Sequence, residues 1–171
     1  MAQKEKVIEI NPFDNEHLER IAKLDSIIST DLLTKLAGIT TIGEVKYKNN
    51  KRKSNKIEEL FILDENGETK GLFAINGEKD IRSCLITIYY TNHCQPKKII
   101  SIGTEYALRR MNMQEVFVKV LNTDSSTRKY LEDIGYEYLG EEDGEITYLK
   151  DQISVEINQS NRIFGWFDKG E

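Results

Sequence analysis

The chain has 171 residues, of which 39% are hydrophobic and 31% charged, and its formal net charge is −5. This length suits one domain with a proper hydrophobic core, and the composition is that of a globular protein rather than a disordered one. The net negative charge argues against general binding to nucleic acid or to an anionic membrane surface, so we expect neither partner.

The chain contains two cysteines, Cys84 and Cys94, whose spacing matches no zinc or redox motif, so no metal site is expected. The N-terminal residues are too polar for a signal peptide. No apolar run reaches the roughly 18 residues that would predict a membrane-spanning helix. We therefore predict a cytoplasmic protein with free thiols.

The first part of the chain predicts one strand and two helices. Residues 7–13 alternate in hydrophobicity and reach a proline, which is typical of a strand that ends there. Asp14 or Asn15 can cap the first helix, whose apolar side chains recur along one stripe. Residues 25–38 predict a second helix, which Gly38 can end.

Charge is distributed unevenly along the chain. Residues 46–56 are basic and lack apolar spacing, which predicts an exposed loop or a frayed hairpin. Residues 139–146 are acidic. These two segments have opposite charge in a chain that is only moderately acidic as a whole.

An antiparallel meander of three strands follows the basic segment. Residues 57–77 contain two apolar runs around Asn66-Gly67, which is the strongest short signal for a tight hairpin turn. Residues 80–90 are rich in residue types that favour strands and extend the meander. Strands two to four are therefore predicted to lie side by side.

The rest of the chain predicts a helix, a strand, a second helix and two last strands. Residues 97–113 place apolar side chains on one helical face, and residues 115–122 form a nearly continuous apolar strand. The small polar residues 122–126 can cap a short helix that Gly135 ends. A crossover through a helix makes strands four and five parallel, so the predicted fold class is α+β.

No linker or change of composition marks a second domain. We expect one domain over residues 1–151, followed by a C-terminal extension over residues 152–171. The extension contains Phe164, Trp166 and Phe167, which predict either a tail docked on the domain or a contact in a homodimer.

Two phrases of the sequence resemble the GNAT superfamily of acyl-CoA-dependent N-acyltransferases. "ILDENGETKGLFAI" resembles the family's hairpin of strands two and three, including a glycine like Gly71. "VFVKVLNTDSSTRKYLEDIGYEYLG" resembles its fifth strand, the following asparagine, the fourth helix and the glycine–aromatic pair, here Gly135-Tyr136. The resemblance covers roughly residues 60–151. It implies a mixed, mostly antiparallel sheet of about seven strands flanked by about four helices, with a parallel crossover between strands four and five.

The resemblance implies acetyl-CoA as co-substrate, held where the fourth strand meets the third helix. The family has Arg or Gln there, then two residues, Gly, one residue, and Gly or Ala. Glycine lets backbone amides approach the pyrophosphate, and the helix N-terminus provides a positive dipole end. Aligned on residues 98–103, the chain keeps Gly103, has Lys98 as the cation and Ser101 in place of the first glycine.

The other cofactor contacts implied by the resemblance come from the ends of strands four and five. Backbone donors of three residues would hold the thioester, namely Tyr89, Tyr90 and Thr91. Asn122 would lie beside the pantetheine arm. Together with Lys98, Ser101 and Gly103 these residues form the expected cofactor site.

The helix after the fourth strand departs from the family pattern and leaves two interpretations open. Pro96 suits the first turn of a helix, so the helix can begin early and occupy the pyrophosphate space, with Ile99 and Ile100 facing the core. Alternatively, Lys97 and Lys98 supply charge to an unusual phosphate cradle.

Residues for acid–base chemistry are scarce in the expected site. Leu131 stands where the family has a tyrosine that protonates the departing thiolate, and Tyr130 is about 100° away around the helix. His93 is the candidate catalytic residue, although a loop histidine is more often simply solvated. Cys94 would need a neighbouring base to act as a nucleophile, and none is readable from the sequence.

The resemblance therefore implies an N-acyltransferase that moves an acetyl group from acetyl-CoA to a primary amine of a small molecule or peptide. Bound thioester, deprotonated amine and backbone donors would suffice for that reaction. The alternative is a GNAT-fold domain without catalysis that serves as a binding or regulatory module. Under either interpretation, the basic segment of residues 46–56 is either a solvated loop or in contact with an acidic substrate or the nucleotide phosphates of coenzyme A.

Overall fold

A computed structural model describes residues 5–24, 26–91 and 94–151, the side chains of residues 26–28 excepted. The described chain forms a seven-stranded mixed sheet with five α-helices. The helices are α1 (Asn15–Ala22), α2 (Ser26–Thr40), α3 (Glu44–Lys53), α4 (Pro96–Glu105) and α5 (Ser125–Asp133). The strands are β1 (Glu5–Glu9), β2 (Lys56–Glu65), β3 (Glu68–Glu78), β4 (Ser83–Ile88), β5 (Glu115–Leu121), β6 (Glu137–Glu142) and β7 (Glu145–Asp151).

The strands lie in the order β1-β2-β3-β4-β5-β7-β6. Among these described strands β4 and β5 pair in parallel and all other neighbours pair antiparallel, as predicted. The β2–β3 turn has left-handed backbone at Asn66 and Gly67, with φ of 54° and 86°, which is the conformation that an Asn-Gly hairpin requires. The α+β class and the parallel crossover are therefore confirmed.

Alternation along the strands divides the buried side chains between the two faces of the sheet. On one face, residues such as Phe61, Phe73 and Ile86 pack beneath α4 and α5. On the other face, Ile62 and Leu72 pack beneath α1 and α2. The sheet thus has helices on both faces.

Gly71 lets α4 approach the sheet closely. A Cβ atom at Gly71 would lie 2.8 Å from Cδ1 of Ile99, closer than real Cβ contacts. The glycine of the hairpin phrase therefore serves helix–sheet packing. α4 continues into a π-helical turn, Tyr106–Arg110, before the chain enters β5.

The basic segment is the helix α3, and its prediction as a loop or hairpin is wrong. Polar contacts rather than an apolar stripe stabilise it. Lys48 Nζ lies 3.0 Å from Glu44 Oε1 one turn earlier, and the basic residues of the last turn interact favourably with the negative end of the helix dipole. The ring of Tyr47 packs against the ring of Phe13, with 5.8 Å between the ring centroids. None of these contacts produces an apolar period in the sequence, so this helix was not predicted. The described residues therefore contain five helices where about four were expected.

Gly38 does not end α2, which runs two residues further to Thr40. The hydroxyls of Thr40 and Thr41 bond the carbonyl oxygens of Ala37 and Gly38, both at 2.8 Å, and so satisfy the last turn. None of the helices in the described ranges is long and apolar enough to span a membrane.

Candidate functional site

β4 and β5 separate at their carboxyl ends. Their pairing stops at Thr87 and Lys119, while Ile88 stays paired with β3 and the last residues of β5 stay paired with β7. α4 and α5 both begin after these strand ends. In α/β sheets an opening of this kind, outside the carboxyl ends of neighbouring parallel strands, is a common ligand site.

The N-terminus of α4 lies on one side of this opening. The helix begins at Pro96, and the Gln95 side chain at the N-cap position makes no capping hydrogen bond. The amide of Ile99 bonds the Gln95 carbonyl at 3.1 Å, so the amides of Lys97 and Lys98 precede the first intrahelical bond. Such an uncapped N-terminus favours an anion.

Residues 98–103, where the phosphate cradle is expected, lie inside α4, and of their amides that of Lys98 precedes the first intrahelical bond. Ser101 is exposed on the helix surface. Gly103 is buried, and a Cβ atom there would lie 3.2 Å from Cδ1 of Ile86, so this glycine permits close packing on the sheet. Amides in mid-helix bond carbonyls one turn earlier and are not free for a ligand.

The helix begins at Pro96, as the first of the two interpretations expects. Ile99 and Ile100 are both 0% exposed and belong to the main core. They fill the space between α4 and the sheet. Their side chains therefore leave the helix N-terminus uncovered.

Lys98 is engaged elsewhere, which the sequence could not indicate. Its ammonium lies 2.5 Å from Glu5 Oε1 and 3.1 Å from Glu65 Oε2. Hydrogen bonds to these two carboxylates raise the pKa of Lys98. Its charge is thus compensated within the protein, whereas Lys97 is exposed and makes no ion pair with any described residue.

If the family fingerprint is placed at the observed helix start instead, it moves three residues towards the N-terminus. Gln95 then stands at the Arg or Gln position, and Lys98 and Ile100 replace the two small residues. The sequence alignment gave Gln95 no role because it was anchored on Gly103, the only strict match within residues 98–103. A proline at the first helical position was the signal that could have corrected the register.

Tyr90 crosses the opening from the end of β4. Its hydroxyl donates a hydrogen bond to Asp124 Oδ2 at 3.2 Å, and Asp124 also caps α5 by accepting from the amide of Thr127. Burial raises the pKa of the Tyr90 phenol, and its contact with the backbone of Leu121 offsets only part of this rise. The tyrosine therefore joins the separated ends of β4 and β5 as a neutral phenol.

The three residues expected to hold a thioester differ in their placement. The amide of Tyr89 donates to the carbonyl of Leu72 at 3.0 Å, so it extends the sheet and is not free as a donor. Tyr90 and Thr91 lie at the opening. The Thr91 hydroxyl is buried and has no hydrogen-bond partner among the described residues, which makes it an available polar group.

The remaining predicted positions lie around the same opening or beyond the described residues. Asn122 directly follows β5, and its amide donates to Gly144 at 2.9 Å. His93 lies outside the described residues, as does the extension over residues 152–171. Leu131 is 0% exposed in the core, and Tyr130 instead lines a groove between α4 and α5. No α5 side chain at these two positions reaches the opening.

Cys94 is a half-buried thiol and not an activated nucleophile. Burial raises its pKa to about 11, with a further small rise from Asp124. A thiol with this pKa is almost entirely protonated at neutral pH.

We expect Cys94 to react with iodoacetamide at pH 8 about tenfold more slowly in the native protein than in urea. Raising the pKa from 9.0 to about 11 reduces the thiolate by about a hundredfold. The greater nucleophilicity of the more basic thiolate recovers about tenfold. Mass spectrometry of a Cys84→Ala variant isolates this thiol, and a native rate above the unfolded rate would contradict the inert assignment.

A groove on the other face of the sheet leads toward the same strand end. It has a volume of about 80 Å³ and contains the polar side chains of Lys35, Glu58 and Asn76 as well as Tyr89. A second groove of about 260 Å³ continues it along α3. Tyr89, one residue before Tyr90, lines this groove.

No protein-family model matches the chain, and the search of curated proteins finds no match. Solved structures do match. A dodecameric structure of the spermidine N-acetyltransferase from Vibrio cholerae has a TM-score of 0.61 at 14% identity, covering 91% of this chain and 98% of that chain. The N-acetyltransferase PseH from Campylobacter jejuni has a TM-score of 0.59 at 14% identity, covering 86% and 98%.

PseH in complex with acetyl coenzyme A has a TM-score of 0.52 at 13% identity, covering 87% of this chain and 99% of that chain. Identities this low show the fold alone. The chain thus has the fold of the GNAT N-acetyltransferases, as the resemblance implied.

Proposed function

We propose that this protein is a GNAT-type N-acyltransferase that moves an acetyl group from acetyl-CoA to a primary amine. The observation that carries the proposal is the opening between β4 and β5 beside the uncapped N-terminus of α4. The structural neighbours that share this fold are N-acetyltransferases, and one of them was solved with acetyl coenzyme A. With free cysteines among its described residues, the protein suits a reducing cytoplasm.

The residues present fit the diphosphate of the co-substrate at the start of α4. The Lys97 and Lys98 amides and the helix dipole favour negative charge, and the exposed Lys97 ammonium adds a cation. Gln95 adds an uncommitted amide group at the N-cap position. Close approach relies on the exposed helix end, since this segment has no glycine.

The Thr91 hydroxyl and the backbone beyond β4 are the groups best placed for the acyl end. Acetyl-CoA, when bound, would supply a thioester: attack of a neutral amine on the acetyl carbon forms the amide, the C–S bond breaks, and the proton lost by the amine leaves with coenzyme A as its thiol. The buried Thr91 hydroxyl can donate to an acyl oxygen, and exclusion of water strengthens such a bond. The protein then acts mainly by holding two reactants in the correct geometry.

The amine is proposed to enter along the groove that ends at Tyr89. Two carboxylates, Glu58 and Glu59, and one ammonium, Lys35, line the groove, so its net charge is negative and favours a cationic acceptor. The amide of Asn76 can bind either a donor or an acceptor. Its volume suits a slender chain better than a ring system. A linear primary amine or a peptide N-terminus fits this shape.

A second candidate function is a binding or regulatory module that has lost catalysis. The Tyr90–Asp124 hydrogen bond across the opening favours it, because a pantetheine arm would have to displace this side chain. The lack of a small residue at positions 98 and 100 favours it as well.

Calorimetric titration with acetyl-CoA tests the proposed function. We expect the wild type to bind, and Lys97→Glu to weaken binding at least about tenfold, or about 1.4 kcal/mol, because the helix N-terminus then faces a carboxylate. Lys79→Glu is the matched control. It makes the same charge change at an exposed lysine beyond β3, at the other end of the sheet.

Each outcome of the titration decides a separate point. A wild type that binds nothing at millimolar acetyl-CoA would refute the enzyme and support the module. If Lys97→Glu and Lys79→Glu weaken binding equally, the protein does bind acetyl-CoA, but the placement of its diphosphate at α4 is refuted.

A further inference from the structure

α3 is an exposed cationic helix that the proposed function does not use. It has five basic residues and one acidic residue, a net charge of +4, and none of its residues is buried. Lys46, Arg52 and Lys53 are exposed and make no ion pair with any described residue. Two apolar side chains beside them are also exposed, Ile42 by 45% and Val45 by 73%. Uncompensated basic side chains and apolar side chains are thus exposed together at this helix.

The β6–β7 hairpin is the acidic counterpart of α3. Residues 137–145 contain five acidic residues and no basic one, a net charge of −5. The exposed carboxylates are those of Glu137, Glu141, Glu142, Asp143 and Glu145. Tyr138 and Leu139 lie among them and are 55% and 51% exposed. β6 is also an edge strand, with one side unpaired in the described structure.

These two surfaces lie at opposite edges of the sheet. Lys51 connects α3 to Glu9 of the edge strand β1 by an ion pair, whereas β6 is the opposite edge. Six strand spacings of about 4.8 Å place the two edges about 29 Å apart. The surfaces therefore cannot meet within one molecule, but they can meet between two copies.

We infer that copies of this chain associate head to tail, with α3 of one copy against the β6–β7 hairpin of the next. Opposite charges attract across the contact, and Ile42 and Val45 cover Tyr138 and Leu139. Because the two surfaces differ, the contact is heterologous. A pair of copies therefore still has one unused α3 and one unused hairpin. Such a contact closes into a ring or continues as a filament and does not form a two-fold dimer.

Sedimentation velocity at increasing salt is the first test. We expect oligomers at low ionic strength that dissociate towards monomers at about 0.5 M NaCl, because salt screens exposed charges. A wild type that is monomeric at every salt and protein concentration would overturn the inference, even if it captured an acidic peptide. Oligomers that salt does not weaken would overturn it as well.

Charge reversal provides the sharper test. One variant carries Lys46→Glu, Arg52→Glu and Lys53→Glu in α3. The other carries Glu141→Lys, Glu142→Lys and Glu145→Lys in the hairpin. Each alone is expected to be monomeric, since both of its surfaces then have the same sign. An equimolar mixture is expected to form alternating oligomers, because every contact in it again joins opposite charges.

The control variant carries Lys23→Glu, Lys79→Glu and Lys129→Glu, three exposed lysines outside both surfaces. It changes the net charge as much as the α3 variant and is expected to assemble like the wild type. Circular dichroism verifies that each variant is folded. Single variants that still assemble, or a mixture that stays monomeric while the control assembles, would overturn the proposed contact.

Discussion

Gly77→Ala is expected to destabilise the protein by at least about 3 kcal/mol. A Cβ atom at Gly77 would lie 2.3 Å from the carbonyl oxygen of Ser83 and 2.7 Å from the Cα atom of Cys84. Both atoms are backbone, so no side-chain rotation relieves the clash. Gly77 pairs directly with Cys84, and relief would require β3 and β4 to separate at the amino end of β4, the end away from the opening.

Urea unfolding measures this effect, and Gly38→Ala is its matched control. Gly38 lies inside α2 with nothing within 4 Å of its Cβ position, so alanine there is expected to stabilise by about 1 kcal/mol. The same substitution thus has opposite signs at the two sites. A Gly77→Ala protein as stable as the wild type would contradict the described spacing of β3 and β4.

Arg20→Met is expected to cost about 3 kcal/mol of stability. The Arg20 guanidinium lies 2.8 Å from Oδ1 of Asp64, whose side chain is only 2% exposed. Methionine preserves most of the side-chain volume but leaves a buried carboxylate with one weak partner, the Gly67 amide at 3.3 Å. The loss comes from this uncompensated charge rather than from packing.

Arg109→Met is the control for the loss of an arginine in an exposed pair. Arg109 contacts Glu105 at 3.2 Å, with the two side chains 79% and 62% exposed, and its removal is expected to cost less than about 0.5 kcal/mol. Adding Asp64→Asn to Arg20→Met is expected to recover part of the loss. Equal unfolding midpoints for Arg20→Met and Arg109→Met would contradict the buried-pair interpretation.

Local signals predicted much of the fold. The Asn66-Gly67 turn, the cap of α5 and the left-handed Gly135, with φ of 98°, each follow from backbone preferences within a few residues. α3 was missed because ion pairs and a ring contact stabilise it, and neither produces an apolar period. The end of α2 was missed because threonine hydroxyls replaced the expected glycine cap.

The candidate site was less predictable because it depends on distant contacts. A glycine in a sequence does not reveal whether it admits a ligand or a neighbouring strand, and Gly103 does the latter. The hydrogen bond between Tyr90 and Asp124 joins residues 34 positions apart. Likewise the partners of Lys98 lie in β1 and β2, so its sequence neighbours give no indication that its charge is engaged.

The hydrogen bond from Tyr90 to Asp124 would have to break before a ligand could fill the opening between β4 and β5. Any ligand that enters there competes with a group already attached to the protein, so it binds only the fraction of molecules in which the tyrosine has swung away. If that fraction is about one in ten, the apparent dissociation constant is about tenfold larger than the intrinsic one. A contact that stabilises the resting protein thereby sets the ligand concentration at which the site begins to fill.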